Sequence, residues 1–150
     1  MKCTLSMIAQ IASILGVLGV VVAALSLIEG LRRSKDRNLP VILLGDLNSK
    51  ADGTGTATYA ELLKPEVGFA DAWAEVGPDS DPGYTCCQDA NLLNEDSHLS
   101  DRRDFVLFLS GARQATDAEV VGANPADRTP SGMWPSDHAG VVADLRLLSE

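Results

Sequence analysis

Asp101-Arg102-Arg103-Asp104-Phe105-Val106-Leu107-Phe108-Leu109 changes character at a single point: four charged side chains, then five apolar ones. An uninterrupted apolar run of this length, rich in aromatic and branched side chains, makes a strand buried on both faces. That strand opens at Asp104, so a carboxylate stands at its very start. Strand ends are where a rigid sheet presents reactive groups to solvent. Two more runs read the same way. Val41-Ile42-Leu43-Leu44, stopped by Gly45, is a short buried strand that delivers Asp46 and Asn48 just past its C-terminal end. Gly140-Val141-Val142-Ala143-Asp144-Leu145 is the last strand, with Asp137 and His138 just before it. With the first and last strands antiparallel and side by side, both polar pairs emerge at one edge of the sheet, within reach of Asp104.

The intervening chain supplies loops and little helix. Ser49 to Ala57 is rich in Gly, Thr and Asp and reads as loop. Thr58 and Glu61 have capping-box spacing and open a short helix through Leu63, ended by Pro65. Gly77 to Gly83 is another loop, and Tyr84-Thr85-Cys86-Cys87 reads as strand. A polar stretch from Gln88 to Arg102 follows; Glu119–Val121 is a short strand, and Asn124–Pro135, with three prolines, is loop. Strands dominate, which predicts an α/β or α+β class with a mixed, mostly antiparallel sheet.

A chain of 150 residues suits one domain with a real core. Its 12 basic and 21 acidic residues give a net charge of −9. That balance excludes a module that grips nucleic acid through a broad basic surface, because phosphate neutralisation needs clustered Lys and Arg. It leaves a metal-dependent enzyme open, since a cation can offset the repulsion locally. The three cysteines are Cys3, Cys86 and Cys87. Chain neighbours sit about 3.8 Å apart at Cα, below the usual disulfide range, so Cys86 and Cys87 read as two small apolar residues in or beside a strand. His98 alone does not complete a zinc set around them.

Residues 1–30 form a separate apolar segment, with the remaining domain at 31–150. No charged residue occurs from Cys3 to Ile28, a span that matches the roughly 20 residues of a membrane helix. The leading expectation is a long apolar helix that anchors the chain in a membrane through residues 4–28. Competing readings are a cleaved secretory signal, which would make the protein secreted, and a buried helix or an accidental N-terminus. Arg32, Arg33, Lys35 and Arg37 follow the segment and only Lys2 precedes it, so an anchor would keep the C-terminal part in the cytoplasm. Ala24, Leu27, Ile28 and Leu31 lie at helical spacing, so the helix can finish as part of the following domain.

The polar groups at the strand ends suit one chemistry. Mg²⁺ prefers oxygen ligands and keeps several waters, so one or two carboxylates suffice beside a substrate phosphate. An Asp can orient or deprotonate an attacking water. An Asn can position that water or a phosphate oxygen. A His held in one tautomer by a carboxylate can donate to developing negative charge.

Gly45-Asp46-Leu47-Asn48, Arg103-Asp104-Phe105-Val106 and Ser136-Asp137-His138 together resemble the C-terminal motifs of the endonuclease/exonuclease/phosphatase superfamily, in order and in rough spacing. The resemblance covers about Leu31 to Leu147. It implies that Asp46 activates the attacking water or binds metal and that Asn48 positions nucleophile or phosphate. Asp104 would orient His138, which stabilises a phosphorane-like transition state, and Asp137 would sit at the Mg²⁺ or Mn²⁺ site. The implied metal residues are thus Asp46, Asn48 and Asp137. The implied fold is half of a four-layer sandwich, two sheets between helices. Family members are longer, and their first half supplies an Asn, the principal metal-binding Glu and further His and Tyr groups. Nothing here aligns with that half, so an apolar sheet face would lie open unless a second copy, a separate first half or the apolar N-terminal segment covers it, or the chain is a fragment.

The resulting expectation is a metal-dependent hydrolase of a phosphate ester, be it small, lipid or nucleic acid. The alternative is a catalytically silent, membrane-associated binding or assembly module, which need not bind the cation. A calcineurin-like two-metal phosphoesterase would need more histidines than His98 and His138.

Overall fold

The computed structural model describes residues 29, 30, 33, 40–109 and 113–148. The chain divides into two compact units, Met1–Leu39 and Pro40–Glu150. In the first, Glu29, Gly30 and Arg33 are helical, and Arg33 Nε donates to Glu29 Oε1 at 3.1 Å. The long apolar helix and the anchor expected over residues 4–28 lie outside the described residues. Among the described residues, no helix is long and apolar enough to cross a membrane.

The second unit is α+β. Its elements are β1 (Ile42–Asp46), α1 (Thr58–Leu62), β2 (Phe69–Asp71), α2 (Ala72–Val76), β3 (Asp104–Leu109), β4 (Arg113–Val121), a 3-10 turn at Pro125–Asp127 and β5 (Gly140–Leu147). They form two small antiparallel sheets, ordered β1-β3-β2 and β4-β5. The expected single mixed sheet is therefore not what forms, and every ladder among the described strands is antiparallel. Nor do the first and last strands lie side by side. β1 pairs with β3, setting Asp46 opposite Asp104, whereas β5 pairs with β4.

β3 is central in its sheet, and Phe105 to Phe108 are all buried, as its continuous apolar run requires. One face carries Val106 and Phe108, which pack with Ala72 and Ala115 against the half-buried Val141, Ala143 and Leu145. α2 thus fills the space where the two sheets meet. On the other face Phe105 stacks on Tyr59, ring centroids 4.6 Å apart. β1 departs from the expected buried strand. Among the described strands it is an edge paired with β3 alone, and its alternate residues Ile42 and Leu44 are exposed because no layer of the described residues covers them.

α1 begins where expected, but not by the expected cap. Its N-cap is Ala57, with no side-chain cap. Ser49 does the work instead: its hydroxyl accepts from Tyr59 N at 3.0 Å and donates to Thr56 O at 2.8 Å. β2 and α2 were not expected from the sequence. Asp71 caps α2 by accepting from Trp73 N at 3.0 Å. β4 is far longer than Glu119–Val121, because a register shift between Ala115 and Asp117 breaks the alternation that announces a strand. Tyr84–Cys87 forms no strand; Cys86 makes isolated bridges to Asp101 and to His138.

Candidate active site

Those two bridges build the site. The segment Thr85–Gln88 runs between the approach to β3 and the approach to β5 and hydrogen-bonds to both. Thr85 N and Cys86 N donate to Asp101 O at 3.0 and 2.9 Å, and Asp101 N returns a bond to Cys86 O at 2.9 Å. On its other side Ala139 N donates to Thr85 O and Gln88 N donates to Asp137 O, each at 2.8 Å. The fully buried Thr85 hydroxyl also accepts from Arg103 N at 3.0 Å and Asp104 N at 3.1 Å. Strand ends from different sheets are in this way brought together by a piece of chain in neither.

The result is a histidine–carboxylate pair. His138 Nδ1 donates to Asp104 Oδ2 at 2.8 Å, and both side chains are about one-fifth exposed. Asp46, opposite Asp104 in the β1–β3 register, completes a group of three whose ligand atoms lie within 4.8 Å of one another. Asn48 follows in a turn with φ of +48°, a conformation Asn tolerates, and its N–H donates to Asp46 Oδ1 at 2.6 Å. Asp46 and Asn48 are exposed. Asp137 is exposed too, and its carboxylate is not a member of this group. Its contact with the segment above is through its carbonyl oxygen. The structure therefore brings together Asp46, Asn48, Asp104 and His138 and leaves Asp137 beside them.

The surroundings are charged. The Arg103 guanidinium bonds both Asp101 oxygens and holds that carboxyl below the usual carboxylate range, and Lys50 Nζ, 3.1 Å from Asp101 Oδ2, adds to the effect. The same bond, with Asp46 contributing, raises Arg103 above the ordinary arginine value. Leu47 N to Arg103 O and Ala51 N to Arg102 O, both 3.1 Å, carry the pairing of β1 with β3 into the loops. A cleft of about 300 Å³ opens alongside, lined by Lys50, Asp52, Tyr84, Ser100, Asp101 and Arg102 among others. Sequence reasoning missed Thr85 and Lys50, which act through contacts distant along the chain, and Asp101, whose carboxylate joins Lys50 to the nearby Arg103.

Cys86 and Cys87 are also corrected. They are joined as a disulfide, not two separate apolar residues. Cys86 is fully buried and Cys87 half-buried. His98, weighed as their partner, bonds Asp89 instead, at 2.9 Å. The histidine beside the cysteines is His138.

No family model matches the sequence, and no curated protein matches it. Among solved structures, the chain is similar to an endonuclease/exonuclease/phosphatase family protein from Leptotrichia buccalis C-1013-b, at 20% identity and a TM-score of 0.48. The match covers 72% of this chain and 37% of that one.

Proposed function

We propose that this chain carries the catalytic half of a metal-dependent phosphate-ester hydrolase of the endonuclease/exonuclease/phosphatase type. The observation that supports the reading is the His138–Asp104 pair, 2.8 Å long, held beside Asp46 across the β1–β3 register. Asp104 accepts Nδ1–H, which fixes the tautomer and turns Nε2 toward substrate. Protonated there, His138 donates a hydrogen bond to the charge that builds on the phosphate oxygens. Asp46 is exposed, and its second oxygen, which takes no hydrogen bond among the described residues, would accept the proton of the attacking water, while its Oδ1 is steadied by Asn48 N–H. Thr85 is a positioning residue: it fixes the backbone of Arg103 and Asp104 without touching substrate.

Carboxylate and amide oxygens are the donors a hard cation takes, so the residues present fit Mg²⁺ or Mn²⁺. Asp46 and Asn48 would hold it, and the resemblance adds Asp137 to that set. When bound, the cation polarises the phosphoryl group as a Lewis acid. The cleft along Lys50 and Asp101 is where the rest of the ester would lie. With a net charge of −9, a small or lipid phosphodiester suits this surface better than duplex DNA.

The test is hydrolysis of an aryl phosphodiester by the purified full chain, with Mn²⁺ or Mg²⁺ and with chelator, beside His138→Ala. Expected is turnover that needs the cation and falls by about 10²-fold or more in the variant, the size of a general acid–base contribution. Turnover indifferent to chelator or to the substitution overturns the proposal, as does no turnover at all.

A further inference from the structure

His138 belongs to two ligand groups. One is the oxygen-rich set with Asp46 and Asp104; the other is Cys86, Cys87 and His138, whose ligand atoms also lie within 4.8 Å of one another. We propose that, once the cysteine pair is reduced, Cys86, Cys87 and His138 bind a thiophilic divalent cation such as Zn²⁺, in competition with the proposed hydrolytic role of His138.

Donor chemistry and spacing carry this assignment. Two thiolates and an imidazole are the preferred ligands of a borderline-soft cation and poor ones for Mg²⁺. Zinc bonds of about 2.3 Å to sulfur in tetrahedral geometry set two thiolates about 3.7 Å apart, so after reduction the two sulfurs must part from bonding distance, while the imidazole already lies within 4.8 Å of both. The Cys86 bridge to His138 holds the backbone in place for it. Cys87 and His138 are half-buried, which gives the ion a way in, and three protein ligands leave a fourth position for water.

Reduction is the precondition, and it balances with a phosphine and water. The Cys86–Cys87 sulfur–sulfur bond breaks, the phosphine is oxidised to its oxide, and the two sulfurs gain the two hydrogens of the water. Cation binding then releases the thiol protons. Either ring nitrogen leads to the same competition. A cation on Nε2 occupies the group that would donate to phosphate, and one on Nδ1 breaks the bond to Asp104.

The competition rests on the function proposed above, but binding does not, so the two can fail separately. Co²⁺ is the probe, added to the phosphine-reduced full chain and to the oxidised chain. Expected is a thiolate-to-cobalt absorption band at one equivalent in the reduced chain alone, abolished by equimolar Zn²⁺. Cys3→Ser should leave it intact and Cys87→Ser should remove it. His138→Ala should weaken binding by at least about tenfold, since even outer-sphere partners of a ligand are worth that much. Cys86 is buried, so Cys86→Ser is read only if its thermal unfolding matches that of the parent. No band in the reduced chain, a band that vanishes with Cys3→Ser, or a band indifferent to His138→Ala overturns the site. A normal band with hydrolysis unaffected by Zn²⁺ overturns the competition alone. A band with no hydrolysis under any condition overturns the function and the competition and keeps the site.

Discussion

Asp71 Oδ2 accepts from two nearly buried side chains at once, the Tyr59 hydroxyl at 2.7 Å and Arg102 Nη1 at 2.6 Å. The Arg102 guanidinium lies 5.0 Å from the Phe105 ring centroid and 5.8 Å from that of Tyr59. Burial first, and then the neighbouring carboxylate of Asp71, push the Tyr59 hydroxyl from 10.0 up to about 12. Its proton is therefore bound more tightly in the folded chain than in the unfolded one. The stabilisation is complete below pH 10 and is lost as pH rises toward 12, because the unfolded chain gives up the proton first. Tyr59→Phe should weaken the fold at pH 8 by about 1 kcal/mol, the worth of a buried hydrogen bond whose acceptor keeps a second partner. It should also flatten the loss of stability between pH 10 and 12 relative to the parent. Urea unfolding of both proteins at pH 8 and pH 11 checks this, and equal alkaline losses would refute the assignment.

Among the elements, α2 is placed by a glycine. Gly83 has φ of +68°, and a Cβ there would fall inside contact distance of the Trp73 indole. Gly53, at +79°, has open space around it. Gly53→Ala should cost about 1 kcal/mol, the backbone term alone. Gly83→Ala adds overpacking against a buried ring and should cost about 2 kcal/mol more, measured by chemical denaturation. Equal costs would mean that the Trp73 contact carries no weight. The sequence made β1 and β3 legible because their apolar runs are unbroken, and β5 because it opens on Val141-Val142-Ala143 before Asp144 and Arg146 alternate with leucines. It hid β2 and α2, since Phe69-Ala70-Asp71 is too short for a pattern and the cap of α2 is itself the last residue of the strand before it. Asp46, Asn48, Asp104 and His138 lie near one another, but the pairing of β1 with β5 that was expected to unite them does not form. Thr85–Gln88 unites them instead, through hydrogen bonds that leave no periodic trace in the side chains.

Over the Pro40–Glu150 unit as a whole, apolar surface remains uncovered. Leu44 is 65% exposed and Leu147 64%, and β1 has an unpaired edge among the described strands. Such an edge is a template for association unless polar groups interrupt it. Leu44→Thr should change unfolding free energy by no more than about 0.5 kcal/mol, as expected for an exposed site, and should reduce self-association. Sedimentation over a range of concentrations reads the second effect. A strongly destabilised variant would mean instead that Leu44 is covered in solution.

The Asp104–His138 bond spans 34 residues of sequence. Closing a loop of that size costs about 3 kcal/mol in chain entropy before any contact repays it. During synthesis, a nascent chain that has emerged past Leu109 owns both β1 and β3 and can already zip them together. It still lacks the imidazole, and the carboxylates at the strand ends have nothing to work with. Synthesis from the N-terminus thus supplies the strand scaffold first, and the proposed site can be complete only once His138 has followed it.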